Sequence, residues 1–499
     1  MIFEKIGLID SSFQYQSDMT VVTKGDRIVY IGSEKPSEEI TREGGPVYDG
    51  TGKVLLPGFY NAHGHSPMCL MRGYGENLPL DEWLNNRIFP FEAKLYRKGV
   101  YWSTLLTMAE SIRYGIVSTS DMYMFCDDMI RSISESGMKS NICHSVTNFT
   151  GAAPEENPSF KNMKDLILMY DGFEGDRIHT DACLHAEYTN DEGTVRAVAD
   201  VAREFGVPIQ VHVSETEKET RECMERHGGR TPVKYLSDMG FFDSPVTAAH
   251  CVWLNDEDRQ ILAEGKATVA VNATSNLKLG SGICDTPKLL KAGVSLALGT
   301  DSVASNNNLD FFEEMKLFAL LEKIKGGADT IVRPEDVLYA ATRAGALSQG
   351  REDCGLIQEG FKADLIVVDA DVPNMQPVHS MLNNLVYSAS GKDVRLTMVD
   401  GKVLYQDGEY TTIDLEKVMT ETDKFLKISR IIKRRTVAKE ACEQGRVQVN
   451  GKVAKPGVEV KVDDLITVTF GTSELTVQVK KLTESCKKQD SEGMYEIIS

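Results

Sequence analysis

Two histidines stand two residues apart in PGFYNAHGH, His63 and His65, directly after the apolar run Val54–Leu56. On a strand, positions two apart face the same way. Both imidazoles would then point inward from one strand end, and two neutral imidazoles at that spacing can chelate one divalent ion. Such a pair alone is weak, since isolated histidines are more often ordinary ones. Four further residues repeat the placement. His212 ends the run Pro208–Val211 and Glu215 comes three residues later; His250 ends Val246–Ala249; Asp301 ends Leu296–Thr300 within LALGTDS. Polar residues at strand ends can be mere caps, but this many groups of metal-binding type, each where an apolar run hands over to a loop, form a constellation with catalytic roles.

The elements that must position them are strands alternating with helices. Between Pro57 and Gly350 the apolar runs Ile209–Val213, Val246–His250, Thr268–Asn272 and Val294–Gly299 are interleaved with helical patterns such as Thr194–Phe205 and Phe311–Lys325. That alternation predicts a TIM-type (β/α)8 barrel over 57–350, whose strand C-termini gather catalytic groups. Residues 1–56 and 351–412 share a different texture of short β-rich runs and glycine turns, and they predict one composite β-sandwich domain built from both flanks. A polar stretch, 413–422, reads as a linker. Residues 423–482 form a small α+β module, and the polar tail 483–499 is expected to fray.

Composition narrows the class. The chain has 499 residues, 41% hydrophobic and 26% charged, enough for a large core in an ordinary globular protein. It has no run near the roughly 18 apolar residues of a membrane helix and no signal-peptide pattern at its start, so no membrane partner is expected. Its 10 cysteines include no CxxC pair, which reads as reduced thiols in a cytoplasmic setting. The net charge of −19 is uneven: from Thr422 to Lys488 there are 15 Lys and Arg against 8 Asp and Glu, a surplus of seven positive charges that leaves −26 on the rest. An acidic body with a basic C-terminal module points to two tasks on one chain.

The stretches PGFYNAHGHSPMCLMRGYGENLPLDEWL, HVSET, AAHCVWL, SNLKLGSGI and LGTDSVASNNNLDFFEEM together resemble the S-adenosylhomocysteine/methylthioadenosine deaminase branch of the amidohydrolase superfamily, over about residues 1–412. The resemblance implies that His63, His65, His212 and Asp301 hold one divalent metal per chain, zinc by default with iron and nickel as alternatives. The fourth barrel strand, around Ala182–Tyr188, offers no lysine to bridge a second ion. It also implies a hydrolytic deaminase of an adenine nucleoside: the ion activates water, Asp301 takes the water's proton, His250 orients the nucleophile and Glu215 carries a proton to the ring nitrogen. Glu92, in IFPFEAKL, matches the position that binds ribose hydroxyls, and a carboxylate can accept from both. His185 in LHAEY matches a base-contacting histidine. Trp83 in DEWL would line the base pocket, although an aromatic on a helix is more often core.

The chain departs from the branch at three places. Members that take S-adenosylhomocysteine have an arginine where this chain has His144, and the loop Thr150–Lys161 supplies none. A substrate carboxylate would want a guanidinium there, so a small neutral 5' substituent is expected: adenosine, 5'-deoxyadenosine or methylthioadenosine. Gly64 replaces the middle threonine of the usual HTH, and Val271 replaces a usual histidine.

The C-terminal module carries SRIIKRRTVAKEACEQGRVQVNGKVAKPG. Over about residues 423–482 it resembles the RNA-binding domain named for small-subunit ribosomal protein four (the S-4 domain), above all the short form linked to ribosome quality control and heat shock. The resemblance implies structured RNA or the ribosome as partner, with Arg430, Lys433, Arg434, Arg435, Lys439, Arg446, Lys452 and Lys455 on phosphates. Most basic runs are only solvated surface, but the contrast with the acidic body weakens that reading. Two competing functions remain at this point: a deaminase or chlorohydrolase of another aminated ring, guanine or triazine, and an RNA-binding protein with an inactive barrel. A ribose-binding Glu92 has no task with a free base, and an intact ligand set has none in a dead scaffold. A homo-oligomer stays open.

Overall fold

The computed structural model describes residues 1–42, 45–428, 447–454, 460–470, 473–480 and 495–498. The chain divides into two compact units, Met1–Thr422 and Asp423–Ser499. The N-terminal flank of the first unit supplies β1 (Ile2–Ile9), β2 (Tyr15–Lys24), β3 (Arg27–Gly32), β4 (Val47–Asp49) and β5 (Lys53–Pro57). One residue later the inner strands begin: β6 (Phe59–Gly64), β7 (Ile116–Tyr123), β8 (Lys139–His144), β9 (Ile178–Thr180), β10 (Ala182–Ala186), β11 (Ile209–Val213), β12 (Val246–His250), β13 (Thr268–Val271) and β14 (Ser295–Leu298). The C-terminal flank adds β15 (Leu365–Asp369), β16 (Val394–Val399), β17 (Lys402–Gln406) and β18 (Glu409–Tyr410).

The inner strands pair in parallel as β6-β7-β8-β9 and β10-β11-β12-β13-β14. β9 and β10 are one strand interrupted at Asp181, whose buried carboxylate accepts from Asn141 and Gln210 at 2.8 Å. The opposite seam is closed by a parallel bridge between Gly64 and Asp301, where Asp301 N donates to His63 O at 3.0 Å. Eight strand positions thus succeed one another around the (β/α)8 barrel. Strands such as IQVHV (β11) and VTAAH (β12) are buried at every residue, as expected where helices cover a parallel sheet. Those helices are amphipathic. Glu192–Phe205 buries Thr194, Val195, Val198, Ala199, Val201 and Ala202 in an i, i+3/i+4 stripe, is capped by the Asp191 carboxylate on Thr194 N, and stops at Gly206, whose φ of 69° suits glycine.

Both flanks join one nine-stranded sheet, ordered β18-β17-β16-β15-β5-β1-β2-β3 with β4 on β1. The join is the antiparallel pair β5–β15, with Leu55 opposite Val367 and Leu56 opposite Ile366. Phe3, Ile6, Leu8, Val21, Leu55, Leu365, Val367, Leu396 and Met398 fill the core on this sheet. The polar stretch read as a linker runs into the helix Leu415–Ile428. Ile413, Val418 and Thr422 are buried, Lys417 lies over the Trp102 ring at 5.7 Å, and Glu421 meets Lys98 at 3.5 Å. Val418 and Thr422 lie one turn apart and face the helix Arg97–Arg113, a stripe that the polar composition hid.

The second unit contains β19 (Val447–Val449), β20 (Lys452–Val453), β21 (Leu465–Phe470), β22 (Ser473–Val479) and β23 (Tyr495–Ile497), ordered β20-β19-β21-β22-β23. Asn450 and Gly451 turn the first hairpin, both at positive φ. The tail expected to fray ends in a strand: Tyr495–Ile497 pairs antiparallel with Val477–Val479. The unpaired edge of β22 offers backbone partners that the polar run before Tyr495 concealed. Among the described residues no helix is long and apolar enough to cross a membrane.

At the N-terminal end of the barrel, Lys139 opens β8 and is almost completely buried. Its Nζ lies 2.5 and 2.6 Å from the two Asp364 oxygens and 2.7 Å from Asp400 Oδ1, while the Tyr60 hydroxyl donates to Asp364 Oδ2 at 2.5 Å. Lys139 holds the Asp364 carboxyl below its usual range although burial alone would raise it. Removing one partner of a buried ion pair strands the other charge. Lys139→Ala is therefore expected to lower unfolding stability by about 3–5 kcal/mol, read from urea melts at neutral pH. An unchanged midpoint would refute it.

Candidate active site

His63 is the penultimate residue of β6 and His65 comes directly after the strand; His212 lies in β11, His250 ends β12, and Asp301 comes three residues beyond β14. The barrel brings all of them to its C-terminal mouth. His65 Nε2 lies 3.3 Å from Asp301 Oδ1 and 3.3 Å from His212 Nε2, and His63 Nε2 lies 3.8 Å from Asp301 Oδ1. Donors about 2.0–2.1 Å from a tetrahedral ion would be separated by about 3.3 Å, so the spacing suits one divalent cation. His63 Nε2 is buried without a hydrogen-bond partner, which is what a nitrogen reserved for an ion looks like. Ligand atoms of His63, His65 and Asp301, and separately of His63, His212 and His250, lie within 4.8 Å of one another.

The second nitrogens are fixed by neighbours. His65 Nδ1 pairs with Met122 O at 2.6 Å, His212 Nδ1 with His185 O at 2.7 Å, and His250 Nδ1 with Asn276 Oδ1 at 2.8 Å. A carbonyl acceptor keeps the proton on Nδ1 and turns the Nε2 lone pair inward. Burial, reinforced by the neighbouring imidazoles, pushes His63 and His212 well below the ordinary histidine range, so both are neutral as ligands must be. Burial would raise Asp301, but His65, His250 and His63 hold it well below the usual carboxylate range. Its Oδ2 accepts from Ser275 Oγ at 2.5 Å and Ser305 Oγ at 3.2 Å, and its Oδ1 from Ser302 N at 2.7 Å. A Cβ at Gly299 would come 2.3 Å from Asn272 Oδ1 and 3.0 Å from His63 Cβ, so only glycine lets the chain after β14 pass this close to a ligand. At Gly64 a Cβ would meet nothing nearer than 3.4 Å, so the departure from HTH leaves the ligand geometry untouched. Val271 is buried in β13.

Glu215 lies beside these groups, with Oε2 3.8 Å from His250 Nε2 and Oε1 accepting from Ser281 Oγ at 3.2 Å. Burial pushes its carboxyl up, against the pull of His250. A cavity of about 910 Å³ opens over the site, lined by His65, His212, Glu215, His250 and Asp301. Trp83, Glu92, His144 and His185 line it as well. Burial raises the Glu92 carboxyl, opposed by Tyr123 and His65, and lowers His185 to about 4. His144 stands farther out, with Nε2 3.3 Å from Asn162 Nδ2.

Ser275, Asn276 and Ser281 lie within the SNLKLGSGI stretch, but only the fold shows what they touch: Asp301, His250 and Glu215 respectively. Arg97 lines the cavity but is held by Asp128, 2.7 Å from its Nε, and by Asp127, 3.5 Å from Nη2. Glu219 was legible only as the last residue of a Thr216–Glu219 capping box. A second trio, Glu187, Cys223 and His227, also brings ligand atoms together. Its carboxylate is already satisfied by Arg226 and His227, each at 2.7 Å, so it reads as an ion network. Of the cations expected on RNA, Lys452 is exposed on β20; Arg430, Lys433, Arg434, Arg435, Lys439, Arg446 and Lys455 lie outside the described residues.

Buried, preoriented imidazoles and one aspartate at the mouth of a (β/α)8 barrel define a metal-dependent hydrolase. The amidohydrolase family profile matches residues 54–404, and the S4 domain profile matches residues 423–466. The chain belongs to the amidohydrolase family and is a hydrolase of carbon–nitrogen bonds. It is 41% identical over 399 residues to a 5-methylthioadenosine/S-adenosylhomocysteine deaminase of Dictyoglomus thermophilum, covering 80% of this chain and 92% of that one. It is 40% identical over 405 residues to a 5'-deoxyadenosine deaminase of Methanosarcina mazei, covering 81% and 92%. Among solved structures, an adenosine deaminase from Xanthomonas campestris with bound zinc superposes with a TM-score of 0.80 at 28% identity, covering 86% of this chain and 98% of that one.

His63→Ala removes the donor that has no other partner, and the expected outcome is loss of tightly held metal from purified protein, measured by elemental analysis. Metal retained at the wild-type level would remove His63 from the ligand set.

Proposed function

We propose that the chain deaminates an adenine nucleoside with a small neutral 5' group, of the adenosine, 5'-deoxyadenosine or methylthioadenosine type, with one divalent ion, zinc by default, held by His63, His65, His212 and Asp301. The observation that carries the reading is a single cavity that joins this donor set to Glu92 and His185 on one side and to a region without a free guanidinium on the other. Once bound, the ion would supply an activated water at neutral pH. Asp301 is the nearest base for the water's proton. His250, fixed by Asn276, turns Nε2 toward the same point and steers the nucleophile. Glu215, its carboxyl raised by burial, carries a proton to the ring nitrogen, which makes the amine-bearing carbon electrophilic; ammonia leaves after a second proton transfer.

Glu92 favours a nucleoside over a free base such as guanine or a triazine, because its carboxylate shares the cavity with the ligands and suits a vicinal diol. The remainder of the cavity favours a neutral 5' group. Arg97, His144, Asp127 and Asp165 line it together with Phe149 and Met169. Arg97 donates from Nε to Asp128 and pairs with Asp127, and with Asp165 the carboxylates outnumber this one cation, so an amino-acid carboxylate arriving there would meet a net negative lining.

Two outcomes are expected. In ammonia-release assays, 5'-deoxyadenosine and methylthioadenosine should exceed S-adenosylhomocysteine in kcat/KM, and Glu92→Gln should lower nucleoside kcat/KM by about ten- to one-hundredfold, the weight of hydrogen bonds to a charged group. The reverse substrate order would sink the proposal. For the C-terminal S4 domain, we propose phosphate-dominated binding of structured RNA. Truncation after Ile428 should abolish RNA retardation on gels while leaving nucleoside turnover within about twofold, and binding by the full chain should weaken steeply with salt. A full-length protein that fails to retard ribosomal or transfer RNA at low salt would overturn the second role.

A further inference from the structure

The loop that presents Glu215 has an unusual anchor. Ser214, directly after β11, adopts φ 50°, a left-handed conformation that costs a non-glycine residue energy. Its carbonyl is clamped by Val252 N at 3.1 Å and Trp253 N at 2.9 Å. Its N–H, and those of Glu215 and Thr216, converge on one side chain. Ser214 N donates to Glu219 Oε1 at 2.8 Å, Glu215 N to Glu219 Oε2 at 2.7 Å, and Thr216 N to the same oxygen at 3.4 Å. Thr216 Oγ1 in turn accepts from Glu219 N at 3.1 Å. Glu219 is buried and does not line the cavity.

We infer that Glu219 is a positioning residue for deamination: its carboxylate fixes the strained Ser214–Thr216 turn so that the Glu215 side chain meets substrate in one orientation. The inference rests on the proton-carrying role proposed for Glu215. Residue type supports it. Three N–H donors need acceptors on two different oxygens, which a carboxylate provides. Glutamine would set its own NH2 against one of those donors, and aspartate is one methylene too short to span them. A helix cap alone would need only Thr216 and one oxygen. Here the cap reaches two residues upstream of the N-cap, into the residues that aim Glu215. Burial and the nearby Glu215 charge push the Glu219 carboxyl up to about 7; both of its oxygens nonetheless stay occupied by donors.

A double-mutant cycle on the full-length, metal-loaded protein separates positioning from mere structure. Glu219→Gln is expected to lower kcat about ten- to one-hundredfold, with KM within about twofold and metal content unchanged. In a Glu215→Gln background the same change should cost nothing further, because the group it aims is already gone. Glu219→Asp should show a loss in kcat of the same kind, and it keeps the test alive if the glutamine variant does not fold. Multiplicative losses in the double variant, a near-normal kcat for folded Glu219→Gln, or a loss of metal would overturn the inference while leaving Glu215 in its role. A normal rate for Glu215→Gln alone would overturn that role, and this inference with it.

Discussion

The proposed ligand set asks three neutral imidazoles and one ionised carboxylate to share a single buried point, and the barrel's strand ends are arranged to meet that demand. Imidazoles crowded together in a dry site cannot all be protonated, which is why burial holds His63 and His212 well below the ordinary range. Neutrality alone does not make a ligand set, because each ring must also put its lone pair on the inner nitrogen. Parallel strand register supplies this. His212 in β11 bonds to the carbonyl of His185 in β10, and His65 after β6 bonds to the carbonyl of Met122 in β7. A strand that carries a ligand thus lies beside the strand that orients it. The aspartate closes the ring twice, through its backbone to His63 O and through its side chain to the ligand cluster.

The two ends of the barrel use their buried polar groups differently. At the C-terminal mouth they are left available for an ion, a proton or a substrate. At the N-terminal end they satisfy one another: Lys139, Asp364, Asp400 and Tyr60 form a closed network that ties β8 to residues before β15 and after β16. The same end joins the nine-stranded sheet to the first inner strand across Gly58 alone. A Cβ there would lie 2.3 Å from Val117 Cγ1, so the chain can step from β5 into β6 only with glycine. The position of His63 is therefore set from the N-terminal end of its strand, by a sheet core and by a buried ion pair that Tyr60 of the same strand joins.

What the sequence made legible were groups whose signal is local. Apolar runs that end in His212, His250 or Asp301 announce strand ends, and β-rich flanks announce a sheet made from both, although not its β5–β15 seam. Partners contributed from elsewhere in the chain left no such trace. Ser275 opens the SNLKLGSGI stretch, but only the fold shows its partner: its Oγ donates to Asp301 Oδ2 at 2.5 Å. Arg97 reads as a free cation until the fold supplies Asp128. The helix Leu415–Ile428 reads as a polar spacer because its buried Val418 and Thr422 stand among charged neighbours. The strand Tyr495–Ile497 was hidden because an edge strand depends on the edge it joins.

Charge accounts for how the two proposed tasks can share this chain. The barrel portion is strongly acidic, and residues 422–488 carry a surplus of seven positive charges. A polyanion is repelled by the first and attracted by the second, so RNA binding would be confined to the module. A neutral nucleoside is indifferent to both fields, and on the proposed function its selection would fall to groups lining the cavity: Glu92 for the sugar, and Arg97 with its two aspartates for the substituent on the 5' carbon. An enzyme selecting a zwitterionic substituent would need a free cation in that cavity. Asp127, Asp128 and Asp165 outnumber Arg97 among the groups lining the cavity, and on the proposed function that acidity argues for an uncharged 5' end.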